Sequence, residues 1–165
     1  MNGTARDSGP RRIVVGIDSS IGALLALDWA VREAQVKGCV LEVVHAWDNV
    51  PLPSNIFTSA HELRSASECF VANECAAVAR VTEEAPELIP MSVQGPAARV
   101  LVERSAAADM LVVGRGRHPA VKDMLPRSVS ATVVRGSSCP VVIVPVPDVD
   151  APERATAARR SAPTP

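Results

Sequence analysis

Apolar residues in this chain come in blocks separated by polar punctuation, and the blocks switch between two periods. Residues 12–17 form a continuous run rich in β-branched side chains, the pattern of a strand buried on both faces. Asp18, Ser19 and Ser20 follow as N-cap candidates. Leu24, Leu27, Val31 and Ala34 then recur at helical spacing, and Gly38 stands after Lys37 where a helix-ending glycine belongs. Residues 40–47 read as a second strand and 49–54, with two prolines, as a loop. A long helix is predicted over about 58–85, with Leu63, Ala66, Phe70, Ala77 and Val81 as its apolar stripe and Asn73 as an interruption. Residues 88–93 form a weaker third strand. Gly95-Pro96 opens a helix that buries Val100 and Leu101. Residues 109–114 are a fourth strand ending in glycine. Ser128 caps a short helix with Val129, Val133 and Val134, and 139–145 are a fifth strand whose flanking prolines suit a sheet edge.

Strands alternating with helices imply an α/β fold: a parallel sheet with right-handed crossovers and helices on both faces. Such sheets take ligands at the carboxyl ends of their strands, where the strand order reverses. Asp18, just after the first strand, and the loop that leaves Gly114 are therefore the first places to look. The polar N-terminal segment 1–10 and the Ala/Pro/Arg/Thr-rich segment 148–165 are expected to be disordered tails around a single domain at 11–147.

Composition narrows the function classes. With 165 residues and 47% hydrophobic content the chain can bury a sizeable core. A formal net charge of -1 argues against coating nucleic acid or an anionic membrane. No Tyr, two Phe and two Trp leave few platforms for stacking bases. The apolar run at 140–147 is far shorter than the roughly 18 residues of a spanning helix, and Asp18 interrupts the N-terminal apolar run too early for a secretion signal. A cytoplasmic location is expected. Cys39, Cys69, Cys75 and Cys139 form no CxxC pair and read as reduced thiols rather than zinc ligands. His45 sits in a strand and reads as a buried, hydrogen-bonded histidine, and no HExxH, GxSxG or GxxxxGK[ST] motif is present. Gly114-Arg-Gly116 begins like a dinucleotide fingerprint, but Pro119 occupies the place of its third glycine.

Several pieces together resemble one family. Residues 12–18 (RIVVGID), 27–34 (LDWAVREA) and 43–47 (VVHAW) resemble the first half of a universal stress protein domain. Residues 108–114 (ADMLVVG), Ser128-Val129-Ser130 and 138–145 (SCPVVIVP) resemble its second half. The resemblance implies a Rossmann-like, doubly wound five-stranded sheet of order 3-2-1-4-5 and a homodimer, with the apolar edge strand at 141–144 as the contact. In many members it implies ATP at the switch point, with or without Mg²⁺, and no settled reaction. It places Asp18 beside adenine and ribose, Val44 under the base, and Gly114, Ser128, Val129 and Ser130 around the phosphates.

The ATP-binding branch carries Gly-x2-Gly-x9-Gly-Ser/Thr after the fourth strand. Here Gly114 and Ser128 match, but Arg117 and Arg127 replace the second and third glycines. Glycine lets backbone approach phosphate and adopt positive φ cheaply, so the replacements count against ATP. Yet Arg115, Arg117, Lys122 and Arg127 gather four cations against Asp123, and guanidinium forks suit phosphate. Each position also has a plainer role: Asp18 and Ser128 as caps, Gly114 as a turn, Val44 as core, the arginines as a solvated loop. Three functions follow. The first is a nucleotide-binding module with a modified phosphate loop. The second is an interaction scaffold that has lost the pocket and meets a protein partner. The third, least supported, is a weak nucleotide hydrolase using Asp18 or Asp123.

Overall fold

The computed structural model describes residues 10–48, 59–115 and 128–147. Five strands alternate with four helices: β1 (Arg12–Ile17), α1 (Ile21–Lys37), β2 (Val40–Trp47), α2 (Ala60–Val81), β3 (Leu88–Gln94), α3 (Ala97–Ser105), β4 (Met110–Gly114), α4 (Val129–Gly136) and β5 (Val141–Val144). The strands form one sheet in the order β3-β2-β1-β4-β5, and every pairing is parallel. This is the α/β architecture expected from the alternation of elements, with the strand order that the family resemblance implies. The chain passes from β1 through β2 to β3 over one face, then returns to β4 and β5 over the other. α1 and α2 cover the first face and α3 and α4 the second.

β1 runs through the centre, and Ile13, Val14 and Val15 are at most 1% exposed, because both faces are covered. Alternate residues divide between two cores. Ile13, Val15, Leu41, Val43 and Val112 pack under α1 and α2. Val14, Val44, Leu111 and Val113 pack under α3 and α4.

α1 is bounded as its sequence implies. Ser20 accepts a hydrogen bond from Ala23 N, and Gly38 closes the helix at φ +60°, a conformation that costs other residues about 1–2 kcal/mol. Its buried face is Gly22, Ala23, Ala26, Leu27, Ala30, Val31 and Ala34. Leu24, expected on that face, is 48% exposed. Small side chains occupy the line of closest approach to the sheet, and the bulkier Leu24 lies on the flank.

α2 corrects the sequence reading more substantially. It spans 60–81 rather than 58–85, and a capping box between Ser59 and Glu62 sets its start. Ala66 and Val81 are exposed. The buried stripe is Ser67, Val71 and Cys75, with Phe70 and Val78 packed beside it. Ser67 holds a core position because its hydroxyl has partners there, whereas a count of hydropathy assigns it to solvent. β5 is also shorter than the predicted 139–145, with both prolines outside it.

Two features lock the layers. Glu42, 2% exposed, lies between two guanidinium groups. Arg12 Nη1 donates to Oε2 at 2.9 Å. Arg104 Nη1 lies 3.2 Å from Oε1, within ion-pair range but not aligned as a hydrogen bond. The clamp ties α3 to β1 and β2. At the other end of the sheet, Gly114 and Gly22 let β4 and α1 meet backbone to backbone. A Cβ on Gly114 would stand 2.2 Å from the Gly22 carbonyl, and one on Gly22 would stand 2.7 Å from Arg115 O.

Equilibrium denaturation distinguishes these constraints. Gly38→Ala meets no atoms and should cost only its torsion, about 1–2 kcal/mol. Gly114→Ala must separate two backbones and should cost at least about 3 kcal/mol. Glu42→Ala should destabilise more than Arg104→Ala. The first strands two guanidiniums, whereas the second leaves Arg12 on the carboxylate.

Candidate functional site

The strand order reverses between β1 and β4. α1 leaves the end of β1 on one face, and α3 arrives at the start of β4 from the other. The carboxyl ends of these strands therefore open a crevice between the layers, the usual ligand position of such folds. Asp18, Gly114 and Arg115 stand at these strand ends.

Asp18 is exposed, and its Oδ1 accepts from Ser20 N at 2.8 Å. This bond holds the carboxylate at the mouth of the crevice beside the first turn of α1, while Ser20 is the N-cap itself. Gly114 ends β4. Among the described glycines only Gly38 and Gly95 take positive φ, so Gly114 is required here for space, not for torsion. Arg115 N then donates to Val144 O at 2.8 Å, and this bond carries the sheet one residue past the glycine.

Ser128 caps α4 and accepts from Ala131 N at 3.1 Å. Its Oγ lies 3.2 Å from Ser130 Oγ. Val129 is 40% exposed. The first N–H groups of a helix have no partner within it, and the helix dipole adds partial positive charge there. Two hydroxyls and these N–H groups make the start of α4 suited to an anion. Arg117 and Arg127, with Gly116, Lys122, Asp123 and Pro126, lie outside the described residues.

Val44 is 1% exposed and packs with Val14, Val100, Leu101, Leu111 and Val113, so its side chain is core. Ala46, two residues on and therefore on the same face, is partly exposed and nearer the crevice. Sequence reasoning passed over Ala46. The period-two phase set by Val44 places it on the same face.

One polar group near the crevice gains its meaning only from the fold. His45 stands opposite Ile17 in the β1–β2 register, one residue before Asp18. Its Nδ1 is 2.8 Å from Ser67 Oγ, and Ser92 Oγ donates to Ser67 Oγ at 2.7 Å. Phe70 packs edge-on against the imidazole, with ring centres 4.8 Å apart. Burial pushes the imidazole below the ordinary histidine range, and the charge of Asp18 partly opposes the shift. The expected strand position and hydrogen bond hold, but the residue is half-buried rather than buried. Its serine partners, from α2 and β3, were not visible in the sequence.

Cys39, Cys69 and Cys75 are free, and Cys39 and Cys75 are buried. Burial raises the Cys75 thiol above its ordinary range, which disfavours the reactive thiolate. Among the described residues no cluster of His, Cys, Asp and Glu is arranged to hold a metal ion, and no helix is long and apolar enough to cross a membrane. A separate open groove of about 460 Å³ lies between α3 and α4, lined by Arg99, Val102, Glu103 and Thr132 among others. It contains none of the sequence-predicted site residues.

Comparison with known proteins agrees with this architecture. Residues 9–145 match the universal stress protein family. A universal stress protein of Mycobacterium tuberculosis is 33% identical over 147 residues, covering 80% of this chain and 46% of that protein. One of Mycolicibacterium smegmatis is 28% identical over 144 residues, covering 80% and 47%. The chain thus spans about half the length of the curated relatives it matches. A universal stress protein solved in complex with cAMP superposes with a TM-score of 0.62 at 27% identity, covering 83% of this chain and 98% of that one. A family member from Arabidopsis thaliana with AMP bound has a TM-score of 0.56 at 15% identity, covering 86% and 94%, and supports the fold alone. The chain belongs to the universal stress protein family.

The environment of His45 sets a pH dependence. Its folded-state pKa lies below the unfolded value of 6.5, so the unfolded chain binds more protons between the two values. Stability should therefore fall as the pH drops below about 6.5 and level off beneath the folded pKa. Denaturant midpoints for the wild type and His45→Gln, compared from about pH 8 to about pH 5, should converge on acidification as the wild type loses more stability.

Proposed function

We propose that this chain is a non-catalytic stress-response module that binds an adenine nucleotide, ATP foremost, in the crevice at the carboxyl ends of β1 and β4. The arrangement that carries the reading is the capped N-terminus of α4, with Ser128, Val129 and Ser130, at the same end of the sheet as Asp18 and Gly114. The phosphates would lie on the α4 N–H groups and hydroxyls, joined by Arg117 and Arg127 in place of a glycine cradle. The base and ribose would lie near Asp18, with Ala46 rather than the buried side chain of Val44 beneath them. Mg²⁺ would arrive on the triphosphate. The structural relative solved with cAMP supports an adenine ligand. The hydroxyl of the His45–Ser67 pair is sealed, since Ser67 is 2% exposed, and this argues against nucleophilic use of that pair.

A second reading, a scaffold of the same fold without nucleotide, is favoured by one observation. Asp18, Gly114 and Ser128 each have a structural task in the folded chain, so their presence does not require a ligand. Both readings include a cytoplasmic setting, consistent with the free thiols of Cys39, Cys69 and Cys75. Both also include a homodimer through β5. That strand is an edge of the sheet, its Ile143 is 41% exposed, and an uncovered apolar edge invites pairing.

Thermal unfolding with ATP and Mg²⁺, GTP, or inorganic polyphosphate separates the two. ATP at about 100 times its Kd should add about 2.7 kcal/mol, a rise of several degrees, and Asp18→Ala should reduce it. An equal rise with polyphosphate would indicate a general anion site, and no rise would favour the scaffold. For the dimer, light scattering at micromolar concentration should give twice the chain mass, and Ile143→Lys should halve it.

A further inference from the structure

α4 and β5 are short and thinly anchored. α4 has eight residues and fully buries only Val133, and a helix shorter than about 12 residues is marginal by itself in water. β5 has four residues, none of them fully buried, and β4 is its one neighbour in the sheet. Both elements reach the crevice. Ser128 caps α4, and Val129 and Ser130 open its first turn. The end of β5 is tied to the residue after Gly114 by the bond from Arg115 N to Val144 O. Where few buried contacts hold an element, whatever binds to it supplies part of its order.

The same two elements form the free edge of the sheet, and that edge is apolar through three layers. Ile143 is exposed on the face that carries α4. Val142 and Val144 pack on the other face, where Trp29 of α1 is also only partly buried. In α4, Thr132 and Gly136 line the groove toward α3. Ser130 and Val134 are each two residues from Thr132, roughly 200° around the helix, and so lie on the flank away from α3. Val134 is 54% exposed there. A single added peptide strand would cover Ile143 and leave the flanks of Trp29 and Val134 in water. A second copy of this chain, related by a two-fold axis, brings helix flanks together with its strand and covers all three layers.

We propose that nucleotide binding in the crevice and pairing of two copies across this edge are coupled, each strengthening the other. The proposal rests on the nucleotide and dimer readings above and adds the link between them. A nucleotide lying between Asp18 and the first turn of α4 orders that turn and the backbone that leaves Gly114, to which β5 is bonded. A second copy orders α4 and β5 from the outside. Whichever arrives first meets the ordering cost, so the other binds more tightly. Reciprocity requires the effect per site to be the same in both directions.

Sedimentation velocity of the full chain over a concentration series, with and without saturating ATP and Mg²⁺, reads the coupling from one side. Isothermal titration of ATP into the wild-type dimer and into Ile143→Lys, which disrupts the edge, reads it from the other. Each site should prefer the dimer about fivefold. With two sites, saturating ATP should therefore lower the dimer dissociation constant about 25-fold. Ile143→Lys should bind ATP about fivefold more weakly than the wild type, although Ile143 lies outside the crevice. Val134→Lys, at another exposed edge position, should show the same effects. Should both variants fail to fold, the wild-type sedimentation series decides alone. A dimer dissociation constant that saturating ATP leaves unmoved or raises, or equal ATP affinity in the wild-type dimer and the monomeric variants, overturns the coupling and leaves the nucleotide site intact. A chain that binds ATP yet stays monomeric overturns the dimer reading and the coupling with it. Absence of ATP binding by both dimer and monomer overturns the nucleotide reading, and the coupling again falls.

Discussion

The close approach of α1 to the end of β4 is the constraint on which the rest of this structure depends. Gly22 and Gly114 bring two backbones to a separation at which no Cβ fits on either side. That contact fixes where the first turn of α1 stands relative to the strand that leaves the crevice. It fixes Asp18 as well, because the carboxylate is bonded to Ser20 N at the head of the same helix. The alanine face of α1 continues the approach along the sheet, so the helix lies as a rigid wall and the crevice has one defined side. Glycine at 114 thus has a packing reason independent of any ligand.

The second side depends on polar groups within an otherwise apolar interior. Glu42 draws α3 onto β1 and β2 through Arg12 and Arg104, and Leu101 of that helix rests against Gly16 of the central strand. On the opposite face Ser67 anchors α2 to His45 and Ser92. Buried polar atoms are costly unless paired. Each of these contacts therefore fits one relative placement of its elements, whereas apolar contacts tolerate sliding. The layers are held in register by a few hydrogen bonds and ion pairs and filled by valine, leucine and alanine.

Much of the architecture was legible before the fold. Unbroken runs such as 12–17 and 109–114 mark central parallel strands, because burial on both faces leaves no polar alternation. Ser20, Gly38, Pro96 and Ser128 mark helix ends through local chemistry that needs no tertiary information. The stripe of α2 was misread for a specific reason. Ser67 is buried by virtue of partners 22 and 25 residues away, and hydropathy along the chain cannot register distant partners. Glu42 escaped notice similarly, as one acidic residue in a strand whose cations lie 30 and 62 positions distant in sequence. Asp18 and the loop leaving Gly114 were singled out by the rule that ligands meet strand ends, and Ser128 by its place as a helix cap and by the family resemblance. The side chain of Val44 is core, which the sequence left open, since phase along a strand is readable and depth beneath a helix is not.

The central claim is that an adenine nucleotide occupies the crevice between the ends of β1 and β4, with its phosphates on the first turn of α4. Backbone amide chemical shifts recorded during titration with ATP and Mg²⁺ test it most directly, because each amide reports its own position. The largest changes should fall on Asp18, Ser20, Ala46, Gly114, Arg115 and residues 128–131. Changes confined to the groove between α3 and α4, or none at saturating nucleotide, would contradict it.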